Sequence, residues 1–351
     1  MRRNKRVVDI GTIRIGGTHP VAVQSMTKTK TSDIKGTLRQ IHRLERAGCE
    51  LVRCAVVNRT DAESLAQIRT KMNIPLIADI HFDYRLAIAA IDAGVDKIRI
   101  NPGNIGETWK IEKIIKKAKE HHIPIRIGIN SGSLPERILE KYGHPTVEAV
   151  VETAREALKI FDDSGFNDVV ISAKGVEVCD TVRTYRLLDE RFDFPLHLGI
   201  TEAGLPFAGS IKSAVGLGIL LHEGVGDTVR VSLTADPVKE VVAAYEILNA
   251  LGLRKHDPVL ISCPMCGRCE VDITRIAREV EKRLKKYRNF MKIAVMGCVV
   301  NGPGEAREAD FGIACGKGVG SVFARGKEIR RAKEKEIVDI LFEVIDENLD
   351  N

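Results

Sequence analysis

The chain is poor in aromatic side chains. Phe, Trp and Tyr make up 5% of its 351 residues, with a single Trp. A surface on which successive bases stack needs such rings, so no nucleic-acid partner is expected. Long apolar runs are missing too. No stretch reaches the ~20 apolar residues of a membrane span. The basic start, Met1-Arg-Arg-Asn-Lys-Arg6, leads into no apolar core of a secretory signal. The expectation is a soluble, cytoplasmic protein with no membrane partner. Disulfides are rare in that compartment, so the eight cysteines need another reason. A strong charge imbalance is absent as well, the net charge being +6. The basic runs at 282–288 and 317–335 read as solvated helix faces, with binding to an acidic partner as the sharper alternative.

What is present is a long chain with 44% hydrophobic residues. Its length exceeds one usual compact domain and predicts two. Short apolar runs recur: Val21-Ala-Val-Gln-Ser25, Leu51-Val-Arg-Cys-Ala55, Pro75-Leu-Ile-Ala-Asp79, Lys97-Ile-Arg-Ile-Asn101, Ile125-Arg-Ile-Gly-Ile129, Asp168-Val-Val-Ile-Ser172, Pro195-Leu-His-Leu-Gly199 and Thr228-Val-Arg-Val-Ser232. Amphipathic segments lie between them. In residues 34–47, Leu38, Ile41 and Leu44 share a face, and Gly48 follows as a helix stop. Eight strand–helix units in about 250 residues is the arithmetic of an α/β fold, the (β/α)8 TIM barrel. A doubly wound open sheet is the rival, but no G-x-G-x-x-G run follows a strand. The polar stretch Leu253-Arg-Lys-His-Asp-Pro258 reads as a linker, dividing the chain into domains 1–255 and 256–351.

Barrel active sites gather at the C-terminal ends of the strands. Arg53, Arg99, Arg126 and Arg230 lie within or near the ends of strands, and Lys174 follows the sixth. A charge inside a strand is costly unless it is paired or faces a ligand. Two readings stay open. The cations converge on a phosphate-rich ligand, which the planar fork of arginine suits, or they pair structurally with Asp79 and Glu202. Asn101, Asn104, Asn130 and Ser131 sit in tight loops, where ordinary turn chemistry competes with binding. His81 and His197 read as satisfied core residues.

The last quarter holds a split cysteine cluster. Cys263-Pro-Met-Cys266-Gly-Arg-Cys269 opens it, and Gly297-Cys298-Val-Val-Asn-Gly-Pro-Gly-Glu305 follows. Val259-Leu-Ile-Ser-Cys263 reads as a strand delivering the first thiol, and Ile293-Ala-Val-Met-Gly-Cys298 as another. Asp272 can cap a helix running to about Tyr287, and residues 337–344 make a closing helix, so this domain is α/β. Thiolates at C-x2-C spacing bind one metal centre, and a third from a distant loop can close round it. The second half has no C-x2-C and no nearby histidine, unlike usual structural zinc sites. Three thiolates plus a weaker ligand suit an iron–sulfur cluster. Zinc and simple burial remain alternatives, and Cys269 and Cys315 are rival ligands. Cys49, Cys54 and Cys179 are isolated and read as buried structural residues.

Together these residues resemble the 4-hydroxy-3-methylbut-2-enyl diphosphate synthases in their bacterial two-domain form. The likeness rests on both cysteine runs and on Gln24-Ser-Met-Thr27, Ala78-Asp-Ile-His81-Phe, Arg99-Ile-Asn-Pro-Gly-Asn104, Arg126-Ile-Gly-Ile-Asn130 and His197-Leu-Gly-Ile-Thr-Glu-Ala-Gly204. It implies a [4Fe–4S] cluster held by Cys263, Cys266, Cys298 and Glu305, in a domain like those of sulfite and nitrite reductases. The residues alone read Glu305 as a solvent-facing helix start. A carboxylate is a harder and more replaceable ligand than thiolate, so it can yield to a substrate oxygen. Cys269 departs from the commoner pattern, which has a non-cysteine there. The implied substrate is 2-C-methyl-D-erythritol 2,4-cyclodiphosphate, on the methylerythritol phosphate route to isoprenoids. Its ring opens reductively, with two electrons taken up and water released. Arg53, Arg99, Arg126, Asn130, Lys174, Arg230 and Ser232 would hold the diphosphate and nearby oxygens. Asp79 and Glu202 would orient hydroxyls, with Glu202 the proton donor and Glu305 the second catalytic carboxylate. Ferredoxin or flavodoxin would supply electrons. In the implied homodimer, the small domain of one subunit caps the barrel of the other. Two further readings stay open: a different reductase chemistry, or a barrel with a zinc-stabilised interaction domain.

Overall fold

The structure, a computed structural model, describes residues 5–298 and 300–349. Residues 1–4, part of the basic start, lie outside it, as does Val299 of the second cysteine run. The chain forms two compact bodies, one ending at Arg254 and the other beginning at Lys255.

The first body opens with a short antiparallel hairpin, β1 (Val8–Ile10) and β2 (Ile13–Ile15). Eight parallel strands follow: β3 (Ala22–Met26), β4 (Leu51–Val56), β5 (Leu76–Ile80), β6 (Lys97–Ile100), β7 (Ile125–Asn130), β8 (Val169–Lys174), β9 (His197–Leu198) and β10 (Thr228–Val229). Each expected run supplies one of them. The sheet runs β8-β7-β6-β5-β4-β3-β10-β9, and a parallel bridge between Ile171 and Leu196 joins its ends. That closure makes a barrel and removes the open-sheet alternative. The connecting helices carry the expected signals. Asp33 caps Ile34–Arg46 by accepting from the Gly36 amide, and Gly48 leaves that helix at φ +86°.

Strand periodicity sorts the side chains onto two faces. Ile98 and Ile100 of β6 and Ile125, Ile127 and Ile129 of β7 join the main apolar core with the helices. The residues that alternate with them, Lys97, Arg99 and Arg126, take the opposite, interior face. At the N-terminal end of the strands, Ala22, Leu51, Ile77 and Val170 pack with Val8, Ile10 and Ile15 of the hairpin. The hairpin thus supplies an apolar floor, an element missing from the sequence reading.

The second body is a five-stranded sheet of β11 (Val259–Ser262), β12 (Lys292–Met296), β13 (Phe311–Cys315), β14 (Val319–Ala324) and β15 (Lys327–Lys333), in that order. β11, β12 and β13 are parallel and the rest antiparallel. Asp272 caps the helix Ile273–Leu284, and Ile337–Leu349 closes the domain. The basic run at 317–335 corrects one expectation: it forms the β14–β15 hairpin, not a helix face. Its charges line the edge strand, where Lys327, Glu328 and Arg331 are exposed and discourage pairing with another sheet.

Candidate active site

The barrel interior is filled with cations where branched apolar side chains are usual. Arg53, Arg99 and Arg126 are almost wholly buried, and Lys97 wholly so. Arg126 reaches Gln24 Oε1 at 3.2 Å through Nη1, while its Nε finds no partner. The Nε atoms of Arg99 and Arg230 are likewise buried without one. Such orphaned donors are expensive inside a fold and mark a place prepared for an acceptor.

Two carboxylates stand against these charges. Asp79, on β5, lies 3.6 Å from Arg53 Nε and 3.2 Å from Arg99 Nη1, with His81 Nε2 at 3.5 Å. Burial works to raise its carboxyl, but Arg53, the His81 hydrogen bond and Arg99 outweigh that and hold it far below the usual carboxylate range. The second is Glu240, not the expected Glu202. Glu240 comes from the helix Pro237–Ala250 and is buried. It pairs with Lys28 at 3.0 Å and Arg230 at 3.4 Å, and accepts from the Leu233 amide. The sequence reading missed it because a glutamate in a first helical turn looks like ordinary dipole compensation. Glu202 is exposed and makes no ion pair among those of the described residues. It follows β9 at φ +51°, a left-handed backbone that costs a glutamate about 1–3 kcal/mol. Strain of that kind in a βα loop accompanies functional positions.

The crowding of like charges disfavours the charged form of each of these groups, and the weaker bases beside the guanidinium groups feel it most. Burial first, then Arg126 and Arg230, hold Lys174 well below the ordinary lysine range. His197 is pushed down by burial, Arg126 and Lys174. It is a satisfied core residue, with Thr228 Oγ1 at 2.7 Å from Nδ1 and Lys174 Nζ at 3.2 Å from Nε2. Two glycines give the long side chains their room. A Cβ on Gly128 would strike the Arg99 guanidinium, and one on Gly199 would strike Lys174 Nζ. Asn130 ends β7, and Asn130 and Ser232 are both half-buried. Asn101 caps the short helix Pro102–Ile105 and bonds Ser133 Oγ, so turn chemistry accounts for it. A cavity of about 280 Å³ opens beside Lys174, lined also by Ser131, Thr146 and Thr181.

In the second body the cysteine runs meet beyond the C-terminal ends of the neighbouring strands β11 and β12. Cys263 directly follows β11, and its amide bonds Val295 O of β12 at 3.0 Å. The Glu270 amide bonds Gly297 O at 3.2 Å, tying the first loop to the backbone beside Cys298. Backbone amides of Asn301 and Val300, then that of Gly302 and the Arg268 side chain, favour the Cys298 thiolate and lower its pKa. Glu305 is exposed in the helix Gly302–Glu308, which starts earlier than expected. Cys266 is exposed and Cys263 half-buried. Among the described residues, no three His, Cys, Asp or Glu side chains are drawn together as an ion site. Cys269 packs against Gly297, and burial pushes the Cys315 thiol up to about 12. Cys49 and Cys54 are buried as expected, raised to about 12 and about 11 by desolvation. Cys179 is exposed, contrary to expectation, because its helix Val178–Arg191 turns it outward.

Fold and site together define a class: a barrel with a cationic interior, followed by an α/β domain whose cysteine runs follow two neighbouring parallel strands. Residues 5–245 match the family model of the GcpE TIM-barrel domain, and residues 259–347 match the GcpE protein C-terminal domain. The chain belongs to the GcpE family. It is 54% identical to a Thermodesulfovibrio yellowstonii protein over 344 residues, covering 98% of this chain and 99% of that one. A Clostridium perfringens relative is 52% identical, with 98% and 99% covered, and a Symbiobacterium thermophilum relative 51% identical, with 99% and 94% covered. All three are named 4-hydroxy-3-methylbut-2-en-1-yl diphosphate synthase (flavodoxin). Among solved structures, Yersinia pestis dihydropteroate synthase matches with a TM-score of 0.51 at 13% identity, over 71% of this chain and 99% of that one. That likeness concerns the barrel fold alone.

Proposed function

We propose that this chain makes 4-hydroxy-3-methylbut-2-en-1-yl diphosphate by reductive ring opening of 2-C-methyl-D-erythritol 2,4-cyclodiphosphate. Counted on the neutral acids, the reaction takes up two electrons and two protons and releases one water. The observation that carries the reading is the surplus of buried cations, with unpartnered guanidinium Nε atoms, in the barrel interior. A diphosphate supplies the acceptors they lack. Arg53, Arg99, Arg126, Lys174 and Arg230 hold it, with Asn130 and Ser232 beside them. Asp79 keeps Arg53 and Arg99 in register and orients a hydroxyl. Glu202, exposed on its strained loop, delivers a proton to the departing hydroxyl.

The donor set beyond the ends of β11 and β12 fits an iron–sulfur centre, because soft thiols predominate and backbone amides favour the Cys298 thiolate. Cys263, Cys266, Cys298 and Glu305 are the residues that would hold a [4Fe–4S] cluster. When bound, such a cluster supplies electrons one at a time. Flavodoxin, in the names of the relatives, is the proposed donor. A homodimer in which one subunit's small domain serves its partner's barrel, and a cytoplasmic location, belong to the same reading.

Iron and sulfide analysis of anaerobically purified protein, joined to an assay of the cyclodiphosphate with reduced flavodoxin, tests this. About four of each per chain and turnover are expected; zinc alone, or no turnover, removes the reading. Glu305→Ala should lose iron or activity while Cys269→Ser loses little. Equal losses would transfer the fourth ligand to Cys269.

A further inference from the structure

Lys97 has none of the roles above. It opens β6 with its side chain in the barrel interior, wholly buried, and Nζ has no hydrogen-bond partner. Arg99 lies two residues on along the same face. The charged groups around Lys97 are Arg126 from β7 and Arg53 from β4, and its own field reaches His197 on β9. Asp79 on β5 is committed to Arg53 and Arg99. The floor below offers Val8, Ile10 and Ile15, which are apolar. No ion pair to Lys97 occurs among the described residues. Burial without a partner and two facing guanidinium groups both disfavour an ammonium here. Burial first, then Arg126 and Arg53, hold this amine well below the ordinary lysine range.

A bound polyanion reverses the local field. Resting on the reading that the barrel mouth takes a diphosphate, we propose that Lys97 is an interior proton acceptor, neutral in the empty barrel and charged when a polyanion lies on Arg53 and Arg126. One proton passes from bulk solvent to Nζ, and no other bond changes. The empty barrel thereby carries less charge than its basic residues imply. At Lys97 it gains a cation only when the ligand brings the counter-charge, which favours polyanions over neutral molecules of similar shape. Protonation and binding are linked reciprocally. Lys97 therefore weakens anion affinity as pH rises, by up to about tenfold per unit where the empty site is neutral and the occupied site charged.

Calorimetry on the full-length protein, in buffers of different ionisation heat, tests this with two probes, pyrophosphate and sulfate. Sulfate keeps both charges near neutral pH and brings no titrating group. Wild-type protein should take up protons on binding sulfate, and Lys97→Met about one fewer per site, with a correspondingly shallower pH dependence. Equal proton counts in the two proteins overturn the proposal. Lys97→Arg stays charged in both states and should show the same loss, which covers the case of a Met variant that does not fold. A wild-type binding heat that is independent of buffer overturns the proposal without any variant. If neither anion binds wild-type protein, it is the diphosphate reading that fails.

Discussion

Asp79 carries much of the interior's electrostatic order, because two buried guanidinium groups share one carboxylate. Removing one partner of a buried pair leaves the other uncompensated, at about 3–5 kcal/mol. Asp79→Asn should therefore lower barrel stability by that order, read from urea midpoints. The pH dependence has a definite sign. The folded carboxyl titrates below its unfolded value of about 3.9. Its contribution is thus complete above that pH and fades as pH falls further. The gap between wild type and Asp79→Asn should narrow in acid below about pH 4; a constant gap would mean that Asp79 acts through packing alone. Glu240 plays the matching part near Arg230, and its importance comes from its buried partners, not from its place in a helix.

At the scale of elements, the β1–β2 hairpin matters most for the barrel. It covers the strands' N-terminal end with Val8, Ile10 and Ile15, an apolar floor packed on Ala22, Leu51, Ile77 and Val170. Ile10 is fully buried. Truncating a buried isoleucine to alanine costs about 2–5 kcal/mol, according to how far the cavity collapses. Ile10→Ala should lower the barrel's melting transition accordingly; a change within about 0.5 kcal/mol would show that the floor relaxes freely. The β14–β15 hairpin shows the converse case. Composition marked its charges as exposed, and they are, but they lie on an edge strand because Val322, Phe323 and Ala332 carry the buried positions.

On the scale of the whole molecule, the two bodies hold separate apolar cores, one among the barrel helices and the other on the second sheet. Metal binding contributes folding free energy only where its ligands lie. If the proposed iron–sulfur reading holds, removing iron with a chelator should therefore lower the calorimetric transition of residues 255–351 and leave that of the barrel in place. Equal shifts of both transitions would show that the bodies unfold as one. The apolar runs, their alternation and the cysteine spacing were legible in the sequence because each is a local pattern. They determined the barrel, the interior placement of Arg53, Arg99 and Arg126, and the strands that deliver Cys263 and Cys298. The hairpin floor, the pairing of Glu240 with Lys28 and Arg230, and the isolation of Lys97 were decided only by the tertiary structure. Lys28 and Glu240 lie far apart along the chain and meet only when the barrel closes. Closure also expels the water that would otherwise leave each charge indifferent to its neighbours, which is why the same lysine reads as ordinary in the sequence and as an unpartnered base in the fold.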